Sequence, residues 1–584
     1  MRTFYENDIR RRVKVLSFLL AGWGALVALR LVQIQVLGHG RAKAAVRRQT
    51  QAEVKVEPRR GRILDRNGEI LACSLPAPSV AVRHLDNETP AEERDKVLKL
   101  ERVLDLSDGD VSRVLGRLRD GASYTYVKSR IPEPDAARVA ALKLPGVEIE
   151  PGTKRQYPLG PLAAHVVGGM SPDGENRTGV ESRYQDVLRG EEGSQLTYAV
   201  RGGRDYQTQV LRSPVTGRDL TLTIDATIQY IAEKELGRAI VEHGADWGSV
   251  IIMDTGSGEI LALANWPTYD LNKYPYPQEA WMNRAVQASY EPGSTFKIVT
   301  AAAAWERNRV GPSELFDCSA GFIRVGGTVI TDHERFGILS FPQVLIRSSN
   351  VGTVQFAQRL SIPEYHGTIK AFGFGQRTGI DLPREASGSV KPPDKWNKKN
   401  TLPHIAIGYE IMVTSIQTLV AMNSFATGGI LVRPRVVKDG AQAGAGPAAE
   451  DGDGPVRVIS EKTARELVDR IFTGVVEEGT AKDGRLDGFG AAGKTGTAQK
   501  YDDALKAYVK KYTASFVGFT PLDEPRISVI VVLDEPKELY YGGQACAPVF
   551  RDIAKQVLRY LRVPPERAVP TRVLTAELGK EKTP

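Results

Sequence analysis

Apolar positions cluster most densely near the start of the chain. Val15 to Leu29 (VLSFLLAGWGALVAL) carries no charge, Arg30 interrupts, and LVQIQVLG extends the apolar character to Gly38. Together these supply about 24 residues, against the roughly 20 that a helix needs to cross a bilayer, and an arginine near the helix end can reach the headgroups. Arg10, Arg11, Arg12 and Lys14 flank the run as basic residues flank bilayer segments. Two other readings are a buried core helix and a cleaved signal. Ala42-Lys43-Ala44 resembles a cleavage site but lies far beyond the usual signal length. Arg41, Lys43, Arg47 and Arg48 follow the run, so the charge count on its two sides orients it only weakly. The expectation is a short cytoplasmic tail (1–14), one uncleaved transmembrane anchor (15–38), and the bulk of the chain outside the cytoplasm.

Beyond the anchor, residues 39–215 mix short apolar runs with Gly/Pro turns, as in a mixed pedestal domain. Within it, RGRILDRNG (60–68) followed by EILA predicts a hairpin, with Asn67-Gly68 in a type I′ turn that needs positive φ at both central residues. The adjoining Arg59, Arg60 and Arg62 suit internal ion pairing better than an anion site. A boundary is expected near 215. DLTLTI (219–224) alternates as a strand, and Asp225 can cap a helix whose Ile228, Ile231, Ala232, Leu236 and Ile240 recur at helical spacing. GSVIIMD (248–254), a Thr255–Gly258 turn and EILALAN (259–265) read as two strands. A mostly helical stretch over 294–425, strands at 513–519 and 527–533, and a final amphipathic helix Val549–Leu561 follow. The whole of 216–563 predicts an α/β (α+β) domain of helices packed on an antiparallel sheet. Residues 439–455 read as a surface loop and 564–584 as a disordered tail.

Composition narrows this only modestly. At 584 residues, 41% hydrophobic and 25% charged, the chain is globular and long enough for two or more cores. Its net charge of +8 comes without Lys/Arg blocks interleaved with aromatics, which argues against nucleic acid. Cys73, Cys318 and Cys546 stand far apart and read as small buried apolar residues. The seven histidines form no ligand cluster, so neither metal nor cofactor is expected. His333 reads as a polar surface residue, and Asn176-Arg177-Thr178 as a chance sequon.

The chemistry is suggested by three short motifs in order: Ser294-Thr295-Phe296-Lys297, Ser348-Ser349-Asn350 and Lys494-Thr495-Gly496-Thr497. Each is weak alone; their conjunction inside one domain is not. A serine hydroxyl needs a base within reach to become a nucleophile. Positions i and i+3 share a helix face, so Ser294 and Lys297 meet if a helix starts near Gly293. Burial and the positive charge of Lys494 would depress the Lys297 pKa and let it act as a base. A helix-start serine and a strand edge can supply the two backbone N–H donors of an oxyanion hole.

This ordered set resembles the signature of penicillin-binding proteins and serine β-lactamases. RGRILDRNG, the uncleaved anchor and RQYPLGPLAAHVVGG…GVESRYQDVLRG (155–190) resemble the class B penicillin-binding proteins. GYEIMVTSIQTLVAMNSFATGG (408–429), YTASFVGFTP (512–521) and GGQACAPVFRDIA (542–554) resemble the septal, division-specific branch, penicillin-binding protein 3. The resemblance implies a peptidoglycan D,D-transpeptidase. In it Ser294 attacks the penultimate D-Ala carbonyl of a stem peptide and Lys297 takes its proton. Ser348 relays a proton to the departing D-Ala, and Asn350 orients Lys297 and the substrate. Lys494 supplies positive potential, and Thr495, Gly496 and Thr497 form the substrate-binding strand. The backbone N–H groups of Ser294 and Thr497 form the oxyanion hole. It also implies β-lactam binding and partnership with a SEDS-family glycan polymerase and other division-complex membrane proteins. The chain departs from the family at Glu410, where Gly-Tyr-Gly is usual, and at Thr414-Ser415-Ile416-Gln417, where Thr-Pro-Leu-Gln is usual.

Other readings fit less well. Gly488 to Thr495 satisfies GxxxxGK[ST], the phosphate-binding P-loop pattern, yet polar residues precede it and no helical period follows. The anchor and the long N-terminal region disfavour a soluble β-lactamase, and 39–215 lacks room for a glycosyltransferase. An elongation-type transpeptidase or a carboxypeptidase would keep the same motifs. A penicillin-sensing receptor would usually carry several membrane segments where one is visible, and a silent scaffold would not need both Lys297 and Lys494.

Overall fold

A computed structural model describes residues 2–37, 51–85, 88–171, 174, 177–199, 206–438, 454–502 and 504–566. The expected loop at 439–455, the tail from 564, the sequon at Asn176 and the small-x-small site at Ala42 lie wholly or mostly outside the described residues. The N-terminal helix runs Arg2–Val32 and continues as a wider turn, Gln33–Leu37. Its stretch Ile9–Gln35 has mean hydropathy 2.0, is long and apolar enough to cross a membrane, and has its side chains exposed.

The chain forms two compact units: Met1–Arg59, Pro76–Lys154 and Gly190–Gly217 in one, Arg60–Leu75, Arg155–Arg189 and Arg218–Pro584 in the other. The expected boundary near 215 is thus the last of several crossings. In the smaller unit Ser79–Arg83 lies between Tyr124–Lys128 and Val147–Glu150 in an antiparallel sheet. Val80, Val82 and Val127 bury against Val97, Leu100, Val114 and Leu118 of helices Pro90–Leu104 and Asp108–Arg119. Thr89 and Glu92 close a reciprocal cap on the first of these helices.

In the larger unit, Ile63–Leu64 and Ile70–Pro76 pair as the expected hairpin. Its turn differs from expectation. Gly68 has φ +93 but Asn67 is not left-handed, so the turn is not type I′. Instead the Asp65 carboxylate accepts from the backbone N–H groups of Asn67 (2.7 Å) and Glu69 (2.8 Å), which holds the loop by side-chain bonding. Leu220–Thr221 then adds parallel to Ile63–Leu64; the expected strand 219–224 shortens to these two residues. The arginines before the hairpin pair internally. Glu181 is fully buried and takes Arg60 and Arg155, each at 2.6 Å, while Arg62 pairs with Asp219 at 2.7 Å.

The central sheet is antiparallel throughout. It comprises β1 (Trp247–Asp254), β2 (Ile260–Trp266), β3 (Ala492–Asp502), β4 (Ala507–Thr520) and β5 (Ile527–Asp534), in the order β2-β1-β5-β4-β3. Both faces are covered, which is why β1 and β5 are continuously apolar rather than alternating. Val250, Ile252, Val529, Val531 and Leu533 face a core shared with α1 (Ala226–His243) and α5 (Ala547–Tyr560). Ile251, Met253, Ile530 and Val532 join the other core with α2 (Lys297–Glu306), α3 (Asn350–Ala357) and α4 (Ser415–Ala426). Asp225 caps α1 by accepting from Thr227 and Ile228 N–H, as its sequence suggests. The stretch 294–425 is less helical than expected. It holds two small antiparallel pairs, Leu315–Asp317 with Ile338–Ser340 and, between them in sequence, the hairpin Phe322–Val325 with Thr328–Thr331, which turns on Gly326-Gly327 at φ +57 and +90. Cys318 and Cys546 are buried and Cys73 is partly so; all three are free thiols.

Candidate active site

The site grows from a single 3₁₀ turn, Gly293–Phe296, that leads into α2. An α-helix was expected here. With three residues per turn the 3₁₀ form stacks Ser294 directly over Lys297. Gly293 sits at φ +54, and a Cβ there would lie 3.1 Å from Ala498 Cβ and 3.2 Å from Thr497 O, so β3 presses on the turn. On its other side Gly293 N–H donates to Gly408 O at 3.1 Å. Gly408 has φ +85, and a Cβ on it would fall 2.0 Å from Gly293 O. Ser294 itself is half-buried, and its hydroxyl makes no hydrogen bond among the described residues.

Lys297 is fully buried beneath it. Its Nζ donates to Ser348 O (2.7 Å) and Asn350 Oδ1 (2.8 Å) and approaches Ser348 Oγ at 3.3 Å. Lys494 on β3, also fully buried, donates to the same Ser348 Oγ at 3.0 Å and to Thr495 O at 3.2 Å. The three motifs therefore converge on one hydroxyl. With both lone-pair sides of Ser348 Oγ facing lysine donors, its own proton is left to donate elsewhere.

The Ser348-Ser349-Asn350 turn is built for this role. Ser348 adopts φ +59, and Ser349 caps α3 by accepting from Gly352 N–H at 3.0 Å. Asp332, which sequence reasoning missed, anchors the turn from outside. It accepts from Ser349 Oγ (2.8 Å), Val351 N–H (3.1 Å) and Asn350 N–H. Asn350 Nδ2 donates to Thr331 O at 2.8 Å, which fixes its amide with Oδ1 toward Lys297. Asp332 follows directly on the hairpin that turns at Gly326-Gly327. That dipeptide was the legible signal; the distance of 18 residues to Asn350 hid the contact. His333 beside it is exposed, as expected.

Burial lowers the Lys297 pKa to about 7, against the opposing pull of the nearby Asp332 charge. Burial also drives the Lys494 pKa well down, and the neighbouring Lys297 pushes it further. Of the two causes expected for Lys297, burial acts and the Lys494 charge does not; the coulombic effect runs from Lys297 onto Lys494. Two ammonium groups on one buried hydroxyl are costly, so the pair titrates as a unit with one member readily neutral.

On β3, an edge strand, Gly496 lets the backbone approach: a Cβ there would lie 2.9 Å from both Pro292 O and Thr295 Cγ2. Thr495 Oγ1 pairs with Thr480 Oγ1 at 2.7 Å, and Thr497 Oγ1 accepts from Gly542 N–H at 3.0 Å, leaving the Thr497 O–H free to donate. The N–H of Ser294 opens the 3₁₀ turn, where first-turn donors have no intrahelical partner. β3 passes this turn at Thr497, whose O lies 3.2 Å from a Cβ built on Gly293. β3 also closes the P-loop reading, since Lys494 and Thr495 lie on a strand and open no helix.

Glu410 belongs to a rim that sequence reasoning saw only as a departure. It occupies φ +59, where a glycine is unstrained, and its carboxylate accepts from His404 Nδ1 (2.7 Å), Lys391 Nζ (2.9 Å) and Thr401 Oγ1 (3.2 Å). His404 above all, then Lys391, holds its pKa down at about 2 despite burial. Its N–H donates to Glu291 Oε1 at 2.8 Å, and Tyr508 OH donates to the same oxygen at 3.0 Å. Burial raises the Glu291 pKa.

Two family models match the chain: the penicillin-binding protein transpeptidase domain over residues 248–555 and the penicillin-binding protein dimerisation domain over 55–222. Among similar curated proteins, stage V sporulation protein D of Bacillus subtilis is 31% identical, over 96% of this chain and 88% of its own. Peptidoglycan D,D-transpeptidase FtsI of Escherichia coli is 29% identical, over 88% and 85%. Among solved structures, penicillin-binding protein 3 of Mycobacterium tuberculosis complexed with aztreonam superposes with TM-score 0.67 at 28% identity, over 88% of this chain and 99% of that one.

Proposed function

Because this chain belongs to the class B penicillin-binding proteins and is a serine-type peptidoglycan D,D-transpeptidase, we propose that it cross-links stem peptides through an acyl-enzyme on Ser294, in the septal wall of a dividing cell. Ser294 Oγ attacks the carbonyl carbon of the penultimate D-Ala while Lys297 Nζ, neutral at or above pH of about 7, takes the hydroxyl proton. The Ser294 and Thr497 N–H groups hold the oxyanion, and the Thr497 hydroxyl with the Lys494 field holds the terminal carboxylate. As the tetrahedral intermediate collapses, Ser348 passes its proton to the departing D-Ala amine and is resupplied from the lysine side. The amine of a second stem peptide then attacks the acyl carbonyl, its proton leaves by the same relay, and Ser294 is freed.

The observation that carries this reading is the junction at Ser348 Oγ, which receives Lys297 and Lys494 at once. β-lactams mimic the D-Ala-D-Ala terminus and acylate the same serine; aztreonam on the Mycobacterium tuberculosis relative supports this. The N-terminal helix anchors the chain in the cytoplasmic membrane with the catalytic unit on the peptidoglycan side. The septal role, with a SEDS-family polymerase and division-complex partners, rests on the segments 408–429, 512–521 and 542–554.

The test is fluorescent-penicillin labelling of the detergent-solubilised full chain, with the adduct mapped by mass spectrometry. The modified peptide should contain Ser294, and Ser294→Ala should abolish labelling. An adduct on another residue, or label retained in the variant, overturns the assignment. A fluorescent fusion should concentrate at division sites; even distribution along the side wall sinks the septal part alone.

A further inference from the structure

A second pocket lies on the larger unit, lined from the α1 side and unused by the chemistry above. It is a cleft of about 450 Å³ lined by Leu159, Leu162, Leu236, Tyr230, Trp266 and Glu233, among others. That volume falls within the range of small-molecule sites, roughly 300–1,000 Å³. The lining is mostly apolar; of its polar members Asn265 is spent on Asn283 and Ala285, and the Glu233 carboxyl is the one acid. Oε1 of Glu233 is engaged, accepting from Ala163 N–H at 2.8 Å and Gln229 Nε2 at 2.8 Å. Oε2 accepts no hydrogen bond among the described residues, and the residue is half-buried.

We propose that this cleft binds a small organic ammonium ion with an apolar body. A carboxylate oxygen in an apolar wall selects for a cationic donor and against an anion. The two aromatic rings, Tyr230 and Trp266, add faces that attract a cation. The leucines provide the surface that an alkyl or aryl tail would cover. Lys234 also lines the cleft, but its ammonium lies 3.7 Å from Glu235 Oε1 with its side chain largely in solvent, where it does not compete. Burial raises the Glu233 carboxyl to about 7, and an ammonium bound beside Oε2 would favour its charged form. The two Oε1 bonds fix the carboxyl in place, so binding does not have to order it.

The test is calorimetry or ligand-observed NMR on the solubilised full chain with a matched trio: 4-phenylbutylammonium, 4-phenylbutanol and 4-phenylbutanoate. The ammonium should bind at least about tenfold more tightly than the alcohol, and the carboxylate should not bind. Glu233→Gln, which keeps an oxygen for Ala163 and Gln229, should cost about tenfold in ammonium affinity and leave the alcohol unchanged. Tyr230→Ala, at a position 60% exposed and unneeded for folding, should weaken the ammonium by about threefold. Unchanged penicillin labelling of both variants certifies their fold. Equal binding of the three probes, no binding of the ammonium, or Glu233→Gln binding it as well as the parent, overturns the proposal.

Discussion

Replacing Asp332 with asparagine tests the site most sharply, because it separates the anchor's geometry from its charge. Asn keeps the shape and one acceptor oxygen, which can still take the Asn350 and Val351 N–H groups; its amide N–H₂ then faces Ser349 Oγ, now bonded at 2.8 Å. Hydrogen bonds to a charged group contribute about 1.5–3 kcal/mol each, and neutral ones about half that. The three here share one carboxylate and are not additive. The expected loss is therefore about 1–3 kcal/mol of folding stability, too little to unfold a chain of this size. The functional effect is larger and has a direction. The Asp332 charge pulls the Lys297 pKa upward against burial. Removing it lets burial act unopposed, so the Lys297 pKa falls below about 7. Acylation by a fluorescent penicillin, followed from pH 5 to 9, should rise through about 7 in the parent as Lys297 loses its proton. In Asp332→Asn the rising limb should move to lower pH. The plateau should drop by roughly ten- to hundredfold, since a weaker base transfers protons less well and the Asn350 turn is looser. A limb that stays in place or moves to higher pH would refute the reasoning; so would a plateau within twofold of the parent.

Three further changes probe other parts of the structure. Glu181→Ala leaves the buried Arg60 and Arg155 without their carboxylate and should cost about 3–5 kcal/mol, seen as a large fall in melting temperature; a shift of a degree or two would contradict it. Gly408→Ala places a methyl on Gly293 O and forces φ +85 on a residue that resists it, so acylation should fall at least tenfold with a stability loss of about 2 kcal/mol or more. Glu410→Gln tests the rim through pH. The folded carboxyl titrates near 2 against about 4.5 unfolded, so its stabilisation is present above 4.5 and is lost as pH falls through 2. Parent and variant should differ by about 1 kcal/mol at pH 7, the pair being partly exposed, and converge in urea melts taken between pH 4.5 and 2.

The elements that fill the sheet and its covering helices were legible because their signals are local. Asp225 and the helical spacing of Ile228, Leu236 and Ile240 specify α1, and the unbroken apolar runs of β1 and β5 follow from burial on both faces. The three motifs were legible as chemistry for the same reason, each being a short word. What escaped were contacts between words. Nothing near Asn350 points to Asp332, and nothing near Gly293 says that Gly408 must be small for it. Glu410 read as an intruder until Lys391 and His404 were seen around it. The type I′ turn at Asn67-Gly68 failed because the Asp65 side chain offered the backbone a different set of partners. The two glycines at 326–327, a hairpin word of the same kind, passed unread inside a stretch taken as helical.

The order of strands in the central sheet sets a timetable. β1 and β2 form one hairpin, β3 and β4 another, and β5, the last strand to be synthesised, is the one that joins them. Until residue 534 has emerged, the strand bearing Lys494 and Thr497 has no continuous sheet to fix it against the Ser294 turn. The unfinished chain therefore holds every side chain of the proposed site and still has no active site. A nascent polypeptide stays inert until its final strand slides home, and truncation short of that strand removes the enzyme rather than weakening it.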